Sequence, residues 1–162
     1  MESRFDHAAR IRRAVPEDAR EIAELSRQLG YPSTPEEIAT RFESLSSSAL
    51  DAVFVATLEA DDTRAPAPAC GARVIAWLHV FGRTMIESAP YAEIGGLVVH
   101  ESERARGVGR ALVAEAESWA AARGYATIRV RSNVVREAAH RFYSARGYRT
   151  SKTQTVFVKE LG

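Results

Sequence analysis

The stretch Leu97-Val98-Val99-His100-Glu101-Ser102-Glu103-Arg104-Ala105-Arg106-Gly107-Val108-Gly109-Arg110-Ala111-Leu112 decides how this chain folds. It begins apolar and extended, passes through a short acidic turn, and ends in a two-glycine loop that runs into a helical pattern. Backbone N–H groups at the head of such a helix have no intrahelical partner, and the helix dipole adds partial positive charge there. Gly107 and Gly109 remove side chains that would block an approaching phosphate, while Arg104, Arg106 and Arg110 supply fixed charge around the same point. The stretch reads as a pyrophosphate-sized anion site. A P-loop would need Gly-Lys-Ser/Thr, whereas Gly109 is followed by Arg110-Ala111. A dinucleotide fingerprint would need a third glycine where Leu112 stands, and would normally follow the first strand of the fold.

Working outward, residues 92–99 form the strand that feeds this loop, with Gly95-Gly96 in its interior predicting a bulge or a close backbone approach by a ligand. Val108, Leu112, Ala116 and Trp119 share one face of the following helix, which stops at Gly124. Residues 126–131 read as a strand, 137–145 as a helix closed by Gly147, and 148–152 and 154–159 as two final strands. Upstream, residues 11–15 are a short strand ending at Pro16, and 17–29 a helix with Ile22, Leu25 and Leu29 on one face and Gly30 as its stop. Thr34-Pro35-Glu36-Glu37 is a capping box that opens a helix to about Ser44. Residues 53–58 and 73–81 are strands, the second apolar at nearly every position, joined by the polar, proline-broken loop 60–72. The order βααβββαβαββ predicts an α/β domain with a mixed sheet.

A chain of 162 residues is one domain's length, able to bury roughly 70% of its unfolded surface without disulfides or a structural metal. Its 46% hydrophobic and 27% charged content excludes fibrous and disordered classes. The single cysteine, Cys70, excludes an internal disulfide and a Cys-rich zinc site, and no metal is expected. The start, Met1-Glu2-Ser3-Arg4-Phe5-Asp6, has no apolar core, and no run approaches the ~18 residues of a membrane helix, so a cytoplasmic location is expected. Residues 1–103 carry 10 Lys+Arg against 17 Asp+Glu, and residues 104–162 carry 12 against 4, balances of −7 and +8. That asymmetry suits an anionic ligand in the second half and a cationic one beside the first, or else surface charge that intermixes on folding. The basic half lacks a lysine stripe with interleaved aromatics, so nucleic acid is not an expected partner.

Arg104-Ala105-Arg106-Gly107-Val108-Gly109 resembles the Arg/Gln-x-x-Gly-x-Gly/Ala hallmark of the GNAT superfamily of acetyl-CoA-dependent N-acetyltransferases. The strand before it, the helix after it and the strand near Ile128 follow that family's order. Phe142-Tyr143-Ser144-Ala145-Arg146-Gly147-Tyr148 looks like the family's second landmark, Tyr-x-x-x-Gly-Phe/Tyr, and the spacing from Arg12 to Asp18 mimics an opening Arg-x-Ala/Val-x-x-x-Asp. The resemblance spans almost the entire chain. It implies a GNAT fold, a mixed, mostly antiparallel sheet of about seven strands flanked by four helices, forming a single domain over residues 1–162. Seven residues before the tyrosine, where the family often has Asn against the pantetheine arm, this chain has Arg136, and Asn133 is the nearest asparagine. Asn133 serves that role from a shifted loop or caps the following helix.

The resemblance implies further roles. Backbone groups of Leu97, Val98 and Val99 would hold the pantetheine amides, one N–H polarising the thioester carbonyl, and residues 104–111 would cradle the pyrophosphate. An alkylamine with a pKa of ~10.4 is almost wholly protonated at neutral pH, so a base is useful. Glu93 matches the place of a catalytic glutamate in several family members, with His79 on the neighbouring strand in reserve. Glu87, Glu101 and Glu103 read as solvated turn residues. Tyr143 occupies the family's position for protonating the leaving thiolate. Cys70 is far in sequence from every motif, so direct attack in a ternary complex is favoured over a cysteine acyl intermediate. The expected partners are acetyl-CoA and an amine acceptor, shaped by residues 29–35 and 151–154; a homodimer is left open. A non-catalytic acyl-CoA-binding or sensor domain, and acyl transfer to a different acceptor, stand as alternatives.

Overall fold

The structure, a computed structural model, describes residues 9–59 and 72–162. Cys70, the amino-terminal residues 1–8 and nearly all of the predicted loop lie outside the described residues. The chain divides into two compact units, up to Val130 and from Arg131 onward.

The first unit holds β1 (Arg10–Arg13), α1 (Ala19–Gln28), α2 (Pro35–Ser46), β2 (Asp51–Glu59), β3 (Ala72–Met85), β4 (Ser88–Val99), α3 (Val108–Ala122) and β5 (Ile128–Val130). Its sheet runs in the order β1-β2-β3-β4-β5, with every neighbouring pair antiparallel except β4 and β5, which are parallel. Along β3 the side chains alternate: Ala76, Leu78 and Val80 are fully buried, whereas Trp77, His79 and Phe81 are half-buried on the opposite face. Ile22 and Leu25 of α1 pack with Val55, Val74 and Val98 on the Trp77 face, and α3 also packs on the sheet through Leu112, Val113 and Ala116. Truncating a core residue such as Leu78 would cost about 2–5 kcal/mol.

Local chemistry explains where the helices begin. Thr34 and Glu37 form the predicted capping box, with Thr34 N–H donating to Glu37 Oε2 at 2.9 Å and Glu37 N–H to Thr34 Oγ1 at 3.2 Å. The Arg12 to Asp18 spacing is a clamp. Arg12 Nη1 and Nη2 donate to the two oxygens of Asp18 at 2.7 and 2.8 Å, and Val15 N–H donates to the same carboxylate at 2.9 Å. Asp18 is 2% exposed, so the pair ties β1 to the start of α1 from inside the fold.

The second unit holds α4 (Glu137–Ser144). Among the described residues the expectation of about seven strands is corrected to five, because residues 148–152 and 154–159 form no ladder here. Val156, Phe157, Val158 and Leu161 are exposed. Alternating apolar residues specify a strand only when a neighbouring strand accepts their backbone bonds, and a lone hairpin is marginal in water. The four predicted α-helices are all present.

Candidate active site

At the head of α3 the backbone turns left-handed at two positions, one of them a glycine. Ala105 and Gly107 both have positive φ, 62° and 83°, the left-handed backbone that anion-binding nests use. Gly107 is the N-cap, no side chain caps the helix, and Ala111 N–H already bonds to Gly107 O at 3.0 Å. The N–H groups of Val108, Gly109 and Arg110 stand ahead of the first intrahelical bond. A Cβ added at Gly107 would meet nothing within 4 Å, so the space beside this residue is open. Arg104, Arg106 and Arg110 are exposed around it, while Val108 is buried and anchors the loop. These features fit a pyrophosphate.

The loop is held from beneath by Glu103. It is only 8% exposed, accepts from Ser102 Oγ at 3.0 Å, and pairs with Arg106 at 3.3 Å and Arg73 at 3.6 Å. The expectation that Glu103 is a solvated turn residue is thereby corrected: three partners compensate its burial. Glu87 and Glu101 are exposed as expected.

The strand leading into the loop opens in its middle. β4 pairs with β5 only at Ala92, Glu93 and Ile94, whose partners are Ile128, Arg129 and Val130. Beyond Ile94, β4 runs on to Val99 with no strand on that edge among the described residues. Leu97, Val98 and Val99 thus keep their register with Leu78, Trp77 and Ala76 of β3, and among the described residues no strand pairs with their other edge. The Val99 carbonyl accepts from Arg104 Nε at 3.2 Å, which links this strand to the loop. One residue past the last β5 pair lies the bulge: His79 faces Gly96 and Val80 faces Ile94, leaving Gly95 without a partner. The close approach predicted at the two glycines is made by this chain itself. A Cβ on Gly95 would lie 2.7 Å from the Phe81 ring, and one on Gly96 2.8 Å from the Trp77 ring.

Register places Glu93, Phe81, His79 and Asp51 on one face of the sheet. Glu93 is 5% exposed, with Arg83 Nε 3.9 Å from its carboxylate. His79 Nε2 lies 2.7 Å from Asp51 Oδ1, a partner that sequence reasoning missed because the strand was read as starting at residue 53. Only a cross-strand register could have revealed it.

In the second unit, Tyr143 lies against Phe142 and Tyr148, ring centroids 5.0 and 5.3 Å away. Burial pushes its phenol up to about 12, against a smaller opposing pull from Arg146. Asn133 Oδ1 accepts from Val135 N–H at 3.2 Å, an Asx-type turn, whereas the N-cap of α4 is Arg136. Asn133 is therefore not the helix cap. Among the described residues no three His, Cys, Asp or Glu side chains assemble a metal site, and no helix is long and apolar enough to cross a membrane.

A mixed sheet whose fourth strand outruns its parallel neighbour, with a left-handed glycine turn at the head of the next helix, fits an acyltransferase scaffold. Residues 18–148 match the acetyltransferase (GNAT) family, and the chain belongs to that family. Similar solved structures include the aminoglycoside N-acetyltransferase AAC(6')-Iy in complex with CoA, at 17% identity and a TM-score of 0.80, covering 99% of this chain and 100% of the other. The aminoglycoside 6'-N-acetyltransferase AAC(6')-Ih from Acinetobacter baumannii is 18% identical with a TM-score of 0.75, covering 96% and 100%. A transcriptional regulator from Bacillus halodurans is 20% identical with a TM-score of 0.74, covering 94% and 100%. No curated protein sequence matches the chain.

Proposed function

We propose that this single-domain protein is an N-acetyltransferase that moves the acetyl group of acetyl-CoA to a primary amine by direct attack in a ternary complex. The observation that carries the reading is the open nest at Gly107 beside the unpaired edge of β4. Bound acetyl-CoA supplies an activated acetyl thioester. Residues 104–111 hold its pyrophosphate through backbone N–H groups and arginine charge, and the β4 edge at Leu97, Val98 and Val99 holds the pantetheine amides. An N–H on that edge faces the thioester carbonyl and stabilises the charge that develops on its oxygen. With its Oδ1 engaged in the turn, Asn133 offers its side-chain N–H groups to an amide carbonyl. Glu93 takes a proton from the acceptor ammonium, and the Tyr143 phenol donates a hydrogen bond to the departing sulfur.

The similarity to aminoglycoside acetyltransferases supports a cationic amine as acceptor, as does the acidic amino-terminal half. Incubating the protein with acetyl-CoA and kanamycin, spermidine or a lysine peptide, and following free thiol, tests the proposal. The similarity to a transcriptional regulator favours a second reading, a non-catalytic acyl-CoA sensor. Saturable calorimetric binding of acetyl-CoA without thiol release on any amine selects it.

A further inference from the structure

The acceptor ammonium must lose two protons to become an amide nitrogen, and the proposed reaction assigns an acceptor for only one. We propose that His79, oriented by Asp51, is the second: Asp51 fixes the imidazole so that Nδ1 takes the remaining N–H proton as the C–N bond forms. This rests on the acetyl-transfer reading and names two residues of the same site. His79 Nε2 is committed to Asp51 Oδ1 at 2.7 Å, the carboxylate reaching diagonally across the β2–β3 ladder, since Asp51 stands opposite Phe81 and Val53 opposite His79. A carboxylate accepts and cannot donate, so the neutral ring keeps its hydrogen on Nε2 and its lone pair on Nδ1. Nδ1 lies 3.4 Å from where a Gly95 Cβ would stand, and no hydrogen bond engages it among the described residues. Gly95 is the bulge residue directly after the last β4–β5 pair, so Nδ1 lies beside the point where the β5 ladder ends. The His79 side chain is 22% exposed, giving it access to an acceptor, while its Asp51 partner is 18% exposed.

The protons balance. The first leaves the ammonium for Glu93, and the freed lone pair bonds to the carbonyl carbon. The second passes from that nitrogen to His79 Nδ1 while the C–S bond breaks and the sulfur leaves as a thiolate held by a hydrogen bond from Tyr143. One of the two captured protons then goes to the thiolate, giving free CoA thiol, and the other goes to solvent.

The test begins with the imidazole nitrogens of the free protein, read by long-range 15N–1H correlation; among the four histidines the His79 signal is the one lost in His79→Gln. The Nε2–H tautomer is expected, and an Nδ1–H tautomer overturns the proposal whatever the acceptor. Asp51→Asn can turn its amide to donate, so it should mix the tautomers and lower kcat about 10- to 100-fold. The KM for acetyl-CoA and the melting temperature should stay near wild type, and Asp51→Glu should restore part of kcat. Unchanged kcat in a folded Asp51→Asn, with an active wild type, refutes the dyad. Absence of thiol release by the wild type on every amine refutes acetyl transfer itself, and the tautomer spectrum then decides whether the Asp51–His79 pair stands.

Discussion

Replacing Tyr143 by Phe deletes one hydrogen-bond donor and leaves a ring packed between Phe142 and Tyr148. The structure sets the size of the loss. Burial raises the phenol to about 12, whereas a cysteine-like thiol sits at ~8.5. Complete transfer from phenol to a finished thiolate is then uphill by roughly 3.5 pKa units, about 5 kcal/mol. The phenol is too weak an acid to give up its proton first. What it supplies instead is a hydrogen bond to sulfur as negative charge builds, worth about 1.5–3 kcal/mol for a charged acceptor. Tyr143→Phe should therefore lower kcat about 10- to 150-fold. Thiol-release kinetics beside calorimetric acetyl-CoA affinity and a melting curve measure it; affinity should barely move, because the loop at Gly107 is untouched. Full activity in the folded variant refutes the donor role. The raised value also has a direction in stability. The folded state holds this proton more tightly than the unfolded chain, so its contribution is complete below the ordinary phenol value near 10 and is lost as pH climbs from there toward 12. Above pH 10 the wild type should accordingly lose stability faster than Tyr143→Phe.

Three further outcomes are expected. Gly107→Val places a β-branched residue at φ +83° with its side chain in the open space beside this position, so acetyl-CoA binding should collapse in a protein that still folds; undiminished calorimetric binding would sink the anion-site assignment. Glu93→Gln should cut turnover at neutral pH and recover part of it as pH rises toward the amine value of ~10.4, whereas a flat, unchanged profile would return Glu93 to a purely structural pairing with Arg83. Gly96→Ala drives a methyl to within 2.8 Å of the Trp77 ring and should cost about 1–3 kcal/mol, seen as a lowered melting temperature; an unchanged one would show that Trp77 moves aside freely.

The elements visible in the sequence were those with local causes. The capping box at Thr34 and Glu37 and the glycine loop before α3 depend on neighbours a few residues apart, and both stand where the sequence put them. The final strands did not form, because a strand needs a partner edge that its own residues do not encode. The site divides in the same way. The nest at Gly107 is a local motif and was legible, while the Asp51–His79 bond spans 28 positions and the Arg73–Glu103 pair spans 30. Glu103 looked solvated because an acidic turn residue beside a glycine loop gives no sign of an arginine arriving from another strand.

The bulge at Gly95 joins these two kinds of information. Two adjacent glycines in an apolar strand predicted an irregularity, but not its occupant. In the fold, the Phe81 and Trp77 rings stand against the glycines, so the bulge leaves no room for side chains at these two positions. What it does is separate two stretches of β4. Before it, Glu93 is locked between β3 and β5 and buried; after it, residues 95–99 keep β3 on one edge and, among the described residues, have no strand on the other. A carboxylate that accepts protons benefits from a fixed, enclosed position, whereas a backbone that binds amides needs an unpaired edge. A regular strand paired along its whole length would supply the first and deny the second. Ending the β5 ladder at Ile94, one residue before the bulge, provides both within a few residues. It also brings the His79 lone pair to the same point, from the opposite strand.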